Sequence, residues 1–160
     1  MIEVRQARYD HPVDAAAVVS LMDIYARDPA GGGQPLSDFA HANLVTQLAA
    51  RPFVFSVLAW DGDGPVGLIN AIEGFSTFAC RPLVNVHDVI VVPDYRGRGV
   101  AAQMFGHVEV LARQRGACKL TLEVLQGNAS ARALYQRLGF TDYQLDPAMG
   151  CAQFLHRSLD

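Results

Sequence analysis

Val89-Ile-Val-Val-Pro-Asp-Tyr-Arg-Gly-Arg-Gly-Val-Ala-Ala102 carries a run of branched apolar residues into a basic turn with two glycines, and out again into a helical pattern. Residues 84–92 read as a long strand closed by Pro93. Beyond the turn, apolar residues at 100, 101, 104, 105, 108, 111 and 112 recur at helical spacing, and Gly116 stops a helix over 97–115. The start of such a helix offers unpaired backbone N–H groups and the positive end of its dipole. Gly97 and Gly99 let the backbone approach a ligand closely, and Arg96 and Arg98 add charge. The combination reads as an anion site that suits a phosphate or diphosphate. The plainer alternative is a tight turn with solvated arginines.

Outward from this turn, 119–124 reads as a strand, so 84–124 predicts a right-handed parallel crossover. Residues 129–138 read as a helix with Gly139 at its end, and 152–159 as a last strand. Toward the N-terminus, 53–60 and 66–72 flank Asp61-Gly-Asp-Gly-Pro65, a hairpin signal. Residues 2–6 read as a first strand and 14–26 as an Ala- and Val-rich helix with Asp14 as its cap. Ser37 caps a second helix with His41, Leu44, Val45 and Leu48 on one face. Asp28-Pro-Ala-Gly-Gly-Gly-Gln-Pro35 between these helices is a loop. Along 84–92, alternation sets Asn85, His87, Val89 and Val91 on one face, opposite Asp88 and Ile90. The order of elements predicts a layered α/β domain whose first strands are antiparallel.

The chain has 160 residues, 51% of them hydrophobic and 18% charged, with a net charge of −3. That suits a single domain over 1–160 and argues against disorder. The mild acidity argues against a broad nucleic-acid or anionic-membrane surface. No uninterrupted apolar stretch approaches the roughly 18 residues of a membrane span, and 1–10 lacks the apolar run of a signal peptide. Cys80, Cys118 and Cys151 have no CxxC spacing and read as reduced thiols, so a cytoplasmic protein is expected. The histidines show no ligand spacing, and no metal is expected.

Two phosphate-binding readings of the turn fail. A Walker loop needs Gly-Lys-Ser/Thr, which does not follow. Gly97-x-Gly99-x-x-Ala102 does fit a dinucleotide fingerprint, with Glu123 near the place of a ribose-binding acid. However, Pro93 to Arg96 separate the strand end from the first glycine, where the dinucleotide turn is tight. The 37 residues after Glu123 also leave no room for a second mononucleotide-binding half. A methyltransferase meets the same shortage.

Arg96-x-x-Gly99-x-Ala101 behind a strand ending Val-Val-Pro resembles the acyl-CoA signature R/Q-x-x-G-x-G/A of the GNAT superfamily of N-acetyltransferases. Downstream, Leu120-Thr-Leu-Glu-Val124 and then Asn128-x-x-Ala131-x-x-Leu134-Tyr135-x-x-x-Gly139-Phe140 resemble its second motif, L-x-V…N-x-x-A-x-x-L-Y-x-x-x-G-F. The likeness is specific over 84–140 and rests on element order elsewhere. It implies a mixed, mostly antiparallel twisted sheet with a central parallel pair of splayed strands and helices on both faces. It also implies acetyl-CoA as co-substrate. Backbone N–H groups from Arg98 through Gly99, Val100 and Ala101, with Arg96 and Gly97 in the same turn, would hold the diphosphate. The strand edge at Val91 and Val92 would pair with the pantetheine arm, and Asn128 would meet the pantetheine or phosphate region.

The reaction implied by the resemblance is direct attack of a neutral amine on the acetyl thioester. Tyr135 matches the family's usual general acid, and a backbone N–H near Val91 its oxyanion donor. For the general base several readings stay open. His87 matches a position assigned that role in arylalkylamine N-acetyltransferases, and an intrinsic pKa near ~6.5 suits it. Glu123 stands at the offset from Tyr135 where ribosomal-protein N-terminal acetyltransferases carry a glutamate. Water chains or Glu73 are the remaining readings, and Asp88 reads as an anchor for a loop or helix. A cysteine nucleophile has little support. Acceptor specificity is expected from the glycine loop at 31–33 and from 73–83, where Phe75 and Phe78 offer apolar walls and Glu73 a partner for an amine. A small-molecule amine is the expected acceptor. A peptide N-terminus or lysine, or a non-catalytic acyl-CoA sensor, are the alternatives. Homodimer formation through the C-terminal strands stays open, and neither nucleic acid nor membrane is expected as a partner.

Overall fold

Val54 to Trp60 are buried one after another, the signature of a strand covered on both faces. This strand, β2 (Val54–Asp61), turns through Gly62 at φ +57° into β3 (Gly64–Ser76), which returns as β4 (Arg81–Val91). The computed structural model describes residues 1–159. They fall into two compact units, Met1–Leu122 and a second that begins at Glu123. In the first unit β1 (Ile2–Gln6) pairs antiparallel with β2, and β5 (Leu120–Leu122) pairs parallel with β4, for a sheet in the order β1-β2-β3-β4-β5. The mixed, mostly antiparallel sheet is as expected. Its parallel pair stands at one end of the order and not at its centre, because no strand forms beyond β5 among the described residues.

Alternation divides the strand side chains between two layers. Leu58, Trp60, Leu68 and Ile90 cluster with Ala17, Val18 and Leu21 of α1 (Pro12–Arg27). Leu44, Val45 and Leu48 of α2 (Asp38–Ala49) pack against that cluster. Gly67 looks the other way, since a Cβ there would lie 2.9 Å from Met104 of α3 (Val100–Gln114). Val100, Met104, Phe105, Val108 and Ala112 form the buried stripe of α3, as the spacing predicts. Helices therefore cover both faces.

Pro12 opens α1 earlier than expected; its fixed φ and missing N–H suit a first helical turn. Asp14 is not the cap. Buried to 1% exposure, it accepts two hydrogen bonds from Arg5 (2.6 and 2.7 Å) and one from the Arg8 N–H (2.8 Å), which ties β1 to the helix. Ser37 does cap α2, accepting from the Ala40 N–H.

In the second unit Asn128 caps α4 (Ala129–Arg137) through its Oδ1, which accepts from the Ala131 N–H. Gly139, at φ +88°, follows the helix end. The strand expected over 152–159 does not form. A strand needs a ladder of backbone partners. The Ala152 N–H reaches the Tyr143 carbonyl at 2.8 Å, but no ladder continues from it, and Phe154, Leu155 and Leu159 stay exposed. No helix among the described residues is long and apolar enough to cross a membrane.

Candidate active site

β5 accompanies β4 for three residues, with Val84, Asn85 and Val86 opposite Leu120, Thr121 and Leu122. From His87 onward no described strand flanks that edge of β4. The Val92 N–H donates to the Val66 carbonyl at 3.0 Å, so Ile90 and Val92 turn their backbone groups toward β3. Val89 and Val91 therefore turn theirs to the open edge. Val92 also accepts the Tyr95 N–H at 3.0 Å. Both its backbone groups are thus engaged, and Val91 alone of the expected pair faces the open edge.

The β3–β4 register shifts beside this opening. Asn70 pairs with Asp88 and Ala71 with Val86, so His87 is an extra residue, a bulge. A bulge resets the alternation of the strand that carries it. Val84 and Val86 share the α3 face with Val89 and Val91, while Asn85, opposite Ile72, shares the α1 face with Asp88 and Ile90. The common face expected for Asn85, His87, Val89 and Val91 is thereby corrected. His87 is exposed on the bulge, and the Asn85 amide donates to Thr121 Oγ1 at 3.0 Å.

Gly97 and Gly99 sit at φ +74° and +79°, in the left-handed region, and a Cβ at either would meet nothing within 4 Å. Conformation demands glycine there, and the space beside it is open. The first intrahelical bond of α3 runs from the Gln103 N–H to the Gly99 carbonyl at 3.1 Å. The N–H groups of Val100, Ala101 and Ala102 therefore have no acceptor within the helix. The Val100 side chain is buried, so this residue presents its N–H alone. Arg98 lies 5.1 Å over the Tyr95 ring. The Tyr95 hydroxyl donates to Asp61 at 2.9 Å, which holds that carboxyl below its usual range and pushes the phenol up. Arg96 is a strap: its Nε donates to the Val91 carbonyl at 3.0 Å and its Nη2 to Asp28 at 2.9 Å. The Ala30 N–H and then Arg96 hold the Asp28 carboxyl below the ordinary range.

Residues 18–140 match the Acetyltransferase (GNAT) family. The chain belongs to this family. A streptothricin acetyltransferase from Streptomyces lavendulae is 36% identical over 87 residues, which cover 52% of this chain and 46% of that protein. An uncharacterized N-acetyltransferase, YhfO, from Bacillus subtilis is 28% identical over 141 residues, 88% of this chain and 91% of its own. A [ribosomal protein bS18]-alanine N-acetyltransferase from Salmonella typhimurium is 32% identical over 46% of this chain and 53% of its own. The chain thus spans about half the length of several curated relatives. Among solved structures, AAC(6')-Iy in complex with a CoA-containing bisubstrate analog superposes with a TM-score of 0.75 at 20% identity, covering 99% of each chain. At that identity the likeness shows the fold alone.

Acyl-CoA, the donor this family uses, fits what the GNAT turn presents: two left-handed glycines with open space, three helix N–H groups and a strand edge that no described strand flanks beyond Val86. The other expected residues are more constrained. In the second unit Tyr135 is buried, with its ring edge-on to Phe140 at 6.0 Å and 64°. Glu123 is exposed, and Asn128 commits its Oδ1 to the cap. Glu73 pairs with Arg115 at 3.1 Å, so its carboxylate is already engaged. Phe75 and Phe78 are exposed. Among the described residues no group of three or more His, Cys, Asp or Glu is arranged to hold a metal ion. Sequence reasoning missed Asp28 as the partner of Arg96, and it missed a polar residue inside each apolar strand, Ser56 and Asn70. A polar position in the middle of a buried run was the available signal for that pair.

Proposed function

We propose that this GNAT chain transfers the acetyl group of acetyl-CoA to a primary amine of a small molecule, by direct attack in a ternary complex. The observation that carries the reading is the left-handed glycine turn at the head of α3 beside the unpaired edge of β4. Unpaired helix N–H groups favour a diphosphate, and a bare strand edge favours the amide-bearing pantetheine arm. In this reading the N–H groups of Arg98, Gly99, Val100 and Ala101 hold the diphosphate, with Arg96 and Gly97 shaping the same turn. The Val91 N–H faces the acyl oxygen, and Tyr135 protonates the departing thiolate. His87, exposed on the bulge, takes the amine proton, with Glu123 as its rival. The streptothricin relative supports a small-molecule acceptor; the ribosomal-protein relative supports a peptide N-terminus.

The test is to incubate the protein with acetyl-CoA and a panel of alkylamines, amino acid amides and peptides, and to follow free CoA thiol. Amine-dependent thiol release is the expected result, fastest on a small amine. Release on peptides alone moves the acceptor class. Tight acetyl-CoA binding with no release on any acceptor identifies a sensor and overturns the reading.

Gly99→Val tests the cradle separately. A β-branched residue at φ +79° costs about 1–2 kcal/mol and places methyl groups on the open side of the turn. CoA affinity, measured by calorimetric titration, is expected to fall at least about tenfold. Gly106→Ala, in the exposed middle of α3 with open space at its Cβ, should leave affinity unchanged and gain about 0.5–1 kcal/mol of stability.

A further inference from the structure

Three neighbouring strands each place a polar residue at one register position on the α1 face: Ser56 opposite Asn70, and Asn70 opposite Asp88. Ser56 and Asn70 are 1% and 4% exposed, and burying such groups is unfavourable unless every one is hydrogen-bonded. They are bonded in a defined direction. Asn70 Oδ1 only accepts, so the Ser56 hydroxyl, 2.6 Å away, donates to it. The Tyr9 hydroxyl, 2.7 Å from Ser56 Oγ, is then the donor to Ser56. Asn70 Nδ2 donates to Asp88 Oδ2 at 3.0 Å and lies 3.3 Å from Met22 Sδ. The opposite amide orientation would set Asn70 Oδ1 against a carboxylate oxygen, so the direction is unambiguous. An amide does not relay protons, so this chain of donors orients Asp88.

The other Asp88 oxygen accepts no hydrogen bond from the described residues, and none of their cations pairs with it; Arg5, Arg27, Arg96 and Arg115 are held by Asp14, Asp23, Asp28 and Glu73. The bulge explains its aim. Without the extra residue His87, position 88 would share the α3 face with Val84 and Val86. With it, Asp88 faces α1 where β5 ends and the β4 edge opens, next in sequence to His87. Tyr25 stands near enough on α1 that Asp88, after burial and before Asp28, pushes its phenol up. A half-buried carboxylate with one oxygen held by Asn70 and the other open suits an alkylammonium, whose charge it can meet.

We propose that Asp88 binds the ammonium group of the acceptor, that Tyr9, Ser56 and Asn70 are positioning residues for its carboxylate, and that the acceptor is a cationic alkylamine. This rests on the acetyl-transfer reading for the word acceptor alone; the cation site is tested by binding. Calorimetric titration of CoA-saturated protein with 1,5-diaminopentane, against its neutral counterpart 1,5-pentanediol, should give binding of the diamine only. Asp88→Asn still accepts the bond from Asn70 but removes the charge. It should weaken the diamine at least about tenfold, with CoA affinity and Tm unchanged. Asn70→Leu should raise KM for the amine several-fold while KM for acetyl-CoA stays constant, a split that a merely structural role would not produce. Equal diamine affinity in Asp88→Asn, or no preference of the native protein for diamine over diol, overturns the site. Asp88-dependent binding without thiol release leaves the site and overturns the transfer reading. Thiol release with an unchanged amine KM in Asp88→Asn does the reverse.

Discussion

Tyr135→Phe is expected to lower kcat for acetyl transfer by about 10²-fold while acetyl-CoA affinity stays within about twofold. The phenylalanine keeps the ring that meets Phe140 edge-on and the helical position within α4. It removes only the hydroxyl. A departing thiolate gains from a proton donor, and a phenol, ordinarily near ~10, is protonated at neutral pH. Steady-state thiol release at saturating amine measures kcat, and titration with CoA measures affinity. An unchanged kcat removes Tyr135 from the chemistry and leaves it a packing role.

Arg5→Met is expected to destabilise the first unit by about 2–4 kcal/mol, the lower end applying because Arg5 is about one-third exposed. On thermal unfolding this is a Tm lower by roughly 5–15 °C. The cause is the carboxylate left behind, since Asp14 is 1% exposed and loses both guanidinium bonds. Arg5→Met combined with Asp14→Leu should recover much of the loss, because a packed apolar pair does not carry the desolvation penalty of a lone charge. The pH dependence has a definite sign. The Arg5 hydrogen bonds hold the Asp14 carboxyl below the ordinary carboxylate range, with further help from the Arg8 N–H. Its contribution is therefore fully present above about pH 5 and is lost as pH falls from the ordinary carboxylate value, near ~3.9, through the depressed native one. Urea unfolding from pH 2 to 7 should show a steeper acid loss in the native protein than in the double variant. Parallel curves would assign the acid sensitivity elsewhere.

The glycine turn was legible because its requirements are local. A strand ending before Pro93 and a glycine turn behind it follow from residues within a few positions of one another; the helix expected from Gly97 starts only at Val100, because Gly97 and Gly99 take left-handed φ. The face of β4 was not legible. A bulge is a property of a strand pair, set where Asn70 and Ala71 of β3 meet Asp88 and Val86, so single-strand alternation put Asn85 and His87 on the face of Val89 and Val91. The same limit applies to 152–159, whose residue types suit a strand while the backbone lacks a ladder.

The sequence by itself determined the layered α/β class, the inner stripe of α3, the caps at Ser37 and Gly139 and the glycine turn, because periodicity and backbone preference act over short distances. Tertiary structure alone decided which groups are already engaged: Arg96 by Val91 and Asp28, Glu73 by Arg115, Val92 by Val66 and Tyr95. It also decided that Asp88 faces α1 with one oxygen unclaimed. Asp28 lies 68 residues from Arg96 and Arg115 lies 42 from Glu73, and a charge so far along the chain is brought within hydrogen-bond reach only when the sheet is paired and its helices are packed.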